Sequence, residues 1–374
     1  MGQTKQLLVA VLGAVALLAA STTLATSAAA HDPTNEDSLK GRHYDGHISD
    51  LSPGGVPMQA LSNERCRGGM AADLFPCHKV DLASFLPLTD IGATFLNDVW
   101  GWEDPQTGMQ LAIVGSFEGT VFVDVTDGGE PVYLGTLPTA APSDPRGNIW
   151  GDIRVYENTA YIGSEAIEIP SLSGHGVQIV DLTQFRGATA PIDVVQGGHI
   201  ADVTQSHNLS LNVESGRLYV AGAVLAVSEC QGGGGASLIY DVASDPLDPT
   251  YLGCLTGAGY NHDVQCVTYR GPDADYHGDE ICIGSNEAVL AIYNATNPAN
   301  PEVLSILTYL DVPFFNEDLG APNYYTHQGW LTEDQNYFFL GDELDEFFGG
   351  HETRNTYIWD LTDLDNAELI GVNQ

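Results

Sequence analysis

Three histidines, His207, His262 and His327, each stand near the start of a similar phrase: S-H-N-L-S-L, N-H-D-V-Q-C and T-H-Q-G-W-L. Imidazole with carboxylate is a donor set for zinc, iron or manganese, while carboxylate with amide oxygen suits calcium. A metal so held lowers the pKa of a bound water and makes it a nucleophile. Carboxylates accompany the histidines: Asp152 and Asp263 in the next column of the aligned phrases, and Glu165, Asp342 and Glu343 at nearby strand ends. These eight residues are the candidate ligands of a divalent metal.

A structural role competes for the same residues. A histidine at the start of a strand can donate one ring N–H to a carbonyl and accept a second bond, tying neighbouring strands together. Repetition is what such a tie produces. In five aligned copies the histidine column reads Asp98, Gly151, His207, His262 and His327, so it is not a strict ring of ligands. The next column reads Val99, Asp152, Asn208, Asp263 and Gln328. Two and four residues past the histidines lie Leu209 and Leu211, Val264 and Cys266, and Gly329 and Leu331. Two-residue alternation therefore puts the histidines on the apolar-facing side of their strands.

The elements that must position these residues come from a longer repeat. V-F-V-D-V-T, V-Q-I-V-D-L-T, S-L-I-Y-D-V-A, L-A-I-Y-N-A-T and T-Y-I-W-D-L-T are its clearest copies, anchored at Asp124, Asp181, Asp241, Asn294 and Asp360. The anchors are spaced 57, 60, 53 and 66 residues apart. Asp and Asn here satisfy turn amides, and D-P and N-P steps start turns, so the anchors read as turn residues rather than calcium ligands. Each period holds short runs of Val, Ile, Tyr and Leu between Gly, Pro, Asn and Asp. Four strands per period without amphipathic helices predict an all-β β-propeller of four-stranded blades. The blades fall near 95–139, 148–204, 205–256, 260–310 and 324–374. The first strand of each blade should line the central channel, and the turn after the second strand should open at the same mouth. That rim would gather Ser116 to Gly119, Ser164 and Glu165, Ser285 to Glu287, and Asp342 to Glu346.

Residues 1–30 carry the order of an export signal: Lys5, an apolar run from Leu7 to Ala20, then Ala28-Ala29-Ala30. The polar segment 31–79 follows. An exported chain permits disulfides, and six cysteines fall into neighbouring pairs: Cys66 with Cys77, Cys230 with Cys254, and Cys266 with Cys282. Sequence alone leaves other connectivities open, and no C-x-x-C points to a thiolate zinc site. The chain has 50 acidic against 12 basic residues, three of them lysine, for a net charge of −38. That balance excludes a nucleic-acid partner or an anionic membrane surface. Hydrophobic residues still make up 43% of the chain, and the acids are dispersed among apolar strands, so a folded protein with a solvating acidic surface is expected. Ser164-Glu165 lacks a nucleophile elbow. The glycines at 232–235 lack the lysine of a phosphate loop.

At N-D-V-W-G-W-E-D-P-Q-T-G, G-D-I-R-V-Y-E-N-T-A-Y-I, G-H-G-V-Q-I-V-D-L-T, Y-N-H-D-V-Q-C-V, Y-T-H-Q-G-W-L-T-E-D-Q and G-D-E-L-D-E the chain resembles the choice-of-anchor B family, related to the LVIVD-repeat propellers. The resemblance covers about residues 60 to 371. It implies a secreted or surface-exposed bacterial propeller whose activity is not established. It also implies further blades and an anchor, so the five blades read as part of a larger ring, for which seven blades are an expected size. In that reading V-D-L-A-S-F-L-P-L, from Val80, would close the ring as a strand of the final blade. Two functions are carried forward. The first is a cell-surface binding or scaffold module whose partner is an extracellular protein, glycan or small ligand, with no membrane insertion after signal removal. The second is a metal-dependent hydrolase, of lactonase or esterase type, with a divalent metal at the channel mouth.

Overall fold

The structure, a computed structural model, describes residues 59–144, 147–168, 173–225, 230, 235–310, 315–316, 321–345 and 354–373. The export signal, segment 31–58, Glu346, His351 and glycines 232–234 lie outside the described residues.

Strands follow the repeat. Blade 1 is Leu96–Glu103, Gln110–Ser116, Gly119–Asp124 and Val132–Pro138, and blade 2 is Gly151–Tyr156, Thr159–Ser164, Val177–Asp181 and Gly198–Ile200. Blade 3 is Asn208–Asn212, Arg217–Leu225, Ala236–Asp241 and Thr250–Leu255. Blade 4 is Asp263–Thr268, Glu280–Asn286, Val289–Asn294 and Glu302–Leu307, and blade 5 is Thr326–Leu331, Tyr337–Asp342, Thr356–Asp360 and Glu368–Asn373. In each sheet the strands pair antiparallel in chain order. This is the β-propeller of four-stranded blades. Blade 3 adds a short strand, Val203–Gln205, because its second strand is nine residues long and runs past the first.

The anchor residues cap turns. Asp124, Asp181 and Asp360 each accept from the backbone N–H two residues on, at 2.9, 2.9 and 2.8 Å, and Asn294 does so at 3.0 Å. A β-bulge sits between third and fourth strands at the same place in blades 1, 3, 4 and 5. At Gly253, beside the bulge of blade 3, φ is 157° and a Cβ would lie 1.9 Å from the Pro298 carbonyl oxygen. The Leu-Gly of the repeat therefore lets the next blade's chain pass close.

Blades bury their faces against each other, as sheets that are apolar on both sides must. Ile113, Phe122 and Trp102 of blade 1 pack on Ile153, Ile162 and Val180 of blade 2. Tyr219 and Ile239 of blade 3 pack on Val264, Cys266 and Tyr293 of blade 4. Ile281, Ile283 and Ile292 pack in turn on Phe338, Leu340 and Trp359 of blade 5. The far face of blade 1 is covered by Leu86, Ile91 and Ala93. Blade 5 exposes Trp330 and Ile370, 61% and 53% accessible, and among the described residues no hydrophobic cluster joins it to blade 1.

The three disulfides are Cys66–Cys77, Cys230–Cys254 and Cys266–Cys282. The last joins residues directly opposite each other on the first two strands of blade 4. The segment from Val80 behaves otherwise than its pattern suggests. Leu82–Phe85 pairs antiparallel with Leu61–Glu64, and blade 5 supplies its own fourth strand. Ser62 Oγ donates to the Gly129 carbonyl at 2.5 Å, holding the small hairpin on blade 1.

Candidate metal centre

The first strands of blades 3, 4 and 5 bring the three imidazoles into a row. The His207 and His262 ring centroids are 4.0 Å apart, and those of His262 and His327 are 4.8 Å apart. His262 is fully buried, His207 is nearly so, and His327 is partly open. The turns after second strands reach the same place. The Glu343 N–H donates to the Tyr325 carbonyl at 3.1 Å, which sets Glu343 beside the start of blade 5. The Glu165 N–H donates to the Trp150 carbonyl at 3.1 Å. Glu287 bridges to Thr326 through paired backbone bonds of 2.6 and 3.2 Å.

Hydrogen bonds fix the tautomers. His262 Nδ1 lies 2.9 Å from the His327 carbonyl oxygen, which only accepts, so Nδ1 carries the proton and Nε2 the lone pair. His207 Nδ1 lies 2.6 Å from Glu165 Oε1, and donation to the carboxylate again leaves the lone pair on Nε2. Such support of one nitrogen is how ligating histidines are oriented. His262, His327 and Glu343 each offer a ligand atom, all within 4.8 Å of one another. Ligand atoms in a tetrahedral zinc shell are about 3.3 Å apart, from metal–ligand distances of about 2.0–2.1 Å. Small rotations of His327 and Glu343, whose closest approach is now 3.6 Å, would close the set.

Two tyrosines complete the wall. The Tyr325 ring meets His262 edge-on at 5.3 Å, and its hydroxyl donates to Glu287 Oε1 at 2.8 Å. The Tyr260 centroid is 6.3 Å from that of His262. Burial, then the charges of Glu165 and Glu287, push the Tyr260 hydroxyl well above its ordinary range, while burial and Glu287 do the same to Tyr325. Both therefore stay protonated donors. Gly222 has φ 59° and makes room: a Cβ there would lie 2.5 Å from the Tyr260 hydroxyl and 2.6 Å from His207 Cβ. Neither tyrosine falls in the repeated strand-start column, yet the sequence carries a signal for both. Each stands two residues before its histidine, as Y-N-H and Y-T-H.

The structure does not bring three of the proposed ligands to the centre. Asp152 Oδ2 accepts from the Leu209 N–H of blade 3 at 2.7 Å, while Oδ1 accepts from Ile153 N–H at 2.8 Å and pairs with Arg154. Asp152 is thus a blade-to-blade tie, matched by Asp98, which accepts from Ile153 N–H at 2.9 Å, and by Gln265, which accepts from Leu331 N–H at 2.7 Å. Burial pushes the Asp152 carboxyl well above the usual range against the pull of Arg154. Asp263 Oδ1 accepts from Val264 N–H at 2.8 Å, and burial pushes its carboxyl up to about 6. Asp342 is held by Leu344 N–H, Asp345 N–H, Tyr325 N–H and the Tyr309 hydroxyl, so its oxygens are used within blade 5. In all three the carboxylate accepts from backbone N–H groups: Asp152 and Asp263 at strand starts, Asp342 at the end of the second strand of blade 5.

Fold and cluster define a class: a β-propeller with a histidine–carboxylate cluster at the starts of its inner strands. No protein-family model and no curated protein matches the chain. Among solved structures it is similar to a periplasmic gluconolactonase of Pseudomonas aeruginosa, at 9% identity and a TM-score of 0.46, covering 84% of this chain and 82% of that one. A putative 6-phosphogluconolactonase from Bacteroides uniformis shows 13% identity and a TM-score of 0.44, covering 84% and 81%. A β-propeller domain from Myceliophteria thermophila shows 10% identity and a TM-score of 0.41, covering 75% and 72%. Likenesses of this order carry no argument about activity.

Proposed function

We propose that this chain is a secreted, surface-associated binding propeller, akin to the choice-of-anchor B proteins, that recognises its ligand through a divalent transition metal. The observation that carries the proposal is the convergence of His262, His327 and Glu343 from two blades, with their ligand atoms all within 4.8 Å of one another. Two imidazoles and one carboxylate are the protein donors of an open zinc site, where the fourth position takes a ligand from outside. Three disulfides suit an oxidising compartment, and no helix among the described residues is long and apolar enough to cross a membrane. The acidic surface keeps such a module soluble and steers cations toward it.

One observation favours hydrolysis as a second reading. Glu165 and His207 form a carboxylate–imidazole pair 2.6 Å apart, with the His207 and His262 ring centroids 4.0 Å apart at a tilt of 48°. In that arrangement Glu165 orients the imidazole and His207 Nε2 accepts a proton, the role of a general base. The bound metal would supply a water of lowered pKa.

Zinc titration of chelator-stripped protein, followed by elemental analysis, tests the proposal. One zinc per chain is expected, lost in the double variant His262→Ala/His327→Ala and retained in Asp152→Asn. Wild-type protein that leaves dialysis without metal removes the proposal. Hydrolysis of simple lactones or aryl esters by the zinc form, lowered about 100-fold or more in Glu165→Gln, would select the enzymatic reading.

A further inference from the structure

Blade 5 holds a second polar cluster, built on Asp345 and Asn355, neither of which belongs to the histidine centre. It lies where the chain leaves the second strand through Asp342 and Asp345 and enters the third past Asn355. Asp342, Asp345 and Asn355 are 3%, 0% and 2% accessible. Asp342 is saturated, with four donors across its two oxygens. Asp345 is not. Its Oδ2 accepts from Asn355 N–H at 3.0 Å and faces the Tyr357 hydroxyl at 3.5 Å. Its Oδ1 has no donor, and neither has Asn355 Oδ1. A buried carboxylate without full compensation is costly, and a second buried carboxylate three residues away adds to the cost. Native proteins rarely leave such oxygens bare.

Two bare acceptor oxygens beside a second buried carboxylate favour a partner that carries positive charge and takes oxygen ligands alone. Among the described residues no lysine or arginine is paired with either carboxylate. A hard cation meets both requirements, and calcium takes carboxylate, amide and water oxygens in flexible geometry. We propose that Asp345 Oδ1 and Asn355 Oδ1 are ligands of a calcium-class cation bound inside blade 5. The site is separate in chemistry from the histidine centre, since an all-oxygen set disfavours zinc and an imidazole set disfavours calcium. It does not depend on the proposed function.

The test uses the full secreted chain, stripped with chelator and held in about 1 M NaCl so that the acidic surface does not collect calcium by charge alone. Calorimetric titration with calcium chloride is expected to show one site and a rise in Tm of several degrees, because a ligand of the native state stabilises it. Terbium should bind in competition with calcium and luminesce through nearby Tyr357. Asp345→Asn and Asn355→Ala should each weaken calcium binding at least tenfold while zinc uptake persists. Asn355→Ala keeps the acid and guards against a folding defect in the other variant. The proposal is overturned if neither calcium nor magnesium binds at millimolar concentration, or if binding is multi-site and vanishes in salt. Unchanged affinity in both variants overturns it as well.

Discussion

His262 shows how much one side chain's surroundings decide. It is fully buried, its Nδ1 proton is committed to the His327 carbonyl, and it lies between two further imidazoles. In the sequence it was one histidine beside an aspartate and four residues before a cysteine. That cysteine pairs with Cys282, and the aspartate bonds Val264 N–H, so neither is its partner. Its partners come from other blades, which spacing within one phrase does not reveal. The column of histidines was legible because the repeat is regular. Tyr260 and Tyr325 were not, because a tyrosine two residues before a strand start reads as ordinary β propensity. His175 gives a different prediction. Burial lowers its pKa from 6.5 to about 4, so between those values the unfolded chain binds more protons. Stability from this residue is present above pH 6.5 and is lost as pH falls toward 4, by roughly 3 kcal/mol. Asp263, raised to about 6, acts in the opposite direction, losing stability as pH rises from 3.8 through that value. The difference in denaturation midpoints between wild type and His175→Gln isolates the histidine. It should change between pH 7 and pH 4.5, and a constant difference would contradict the assignment.

At the scale of the strand and blade, Asp152, which reads as a ligand in the sequence, ties one blade to the next. Asp98 to Ile153, Asp152 to Leu209 and Gln265 to Leu331 are side-chain bonds from one blade's inner strand to a backbone N–H of the next. Such bonds satisfy donors that the blade's own ladder leaves unpaired, and an orphaned buried donor costs about 1–3 kcal/mol. Asp152→Ala should therefore destabilise by about 2–3 kcal/mol in chemical denaturation while metal stoichiometry stays at the wild-type value. Loss of metal with unchanged stability would restore Asp152 as a ligand. The four-strand blade was readable from turn residues and apolar runs, down to the Asp and Asn anchors. The partner of the strand at Leu82–Phe85 was not, since an alternating strand states which face is buried but not what it pairs with. The hairpin with Leu61–Glu64 rests on contacts outside the repeat, the long-range bond of Ser62 to Gly129 among them, that no period announces.

For the whole molecule, charge and repetition set the terms. A net charge of −38 repels itself in the compact state, and the few basic residues leave most carboxylates without a counter-ion. Raising NaCl from about 0.05 to about 1 M shortens the screening length to about 3 Å and should raise Tm by roughly 5 °C or more. A salt-independent Tm would mean that the surface carboxylates are neutralised by bound cations rather than by solvent. Composition made the acidic surface plain, but the two candidate sites depend on which turns meet, and that is set by blades stacking in order. Anomalous diffraction at the zinc edge, from crystals equilibrated with zinc, tests the central claim most directly. A single strong peak about 2.0–2.1 Å from His262 Nε2, His327 and Glu343 is the expected result. Zinc peaks confined to surface carboxylates, with none between these three side chains, would contradict it.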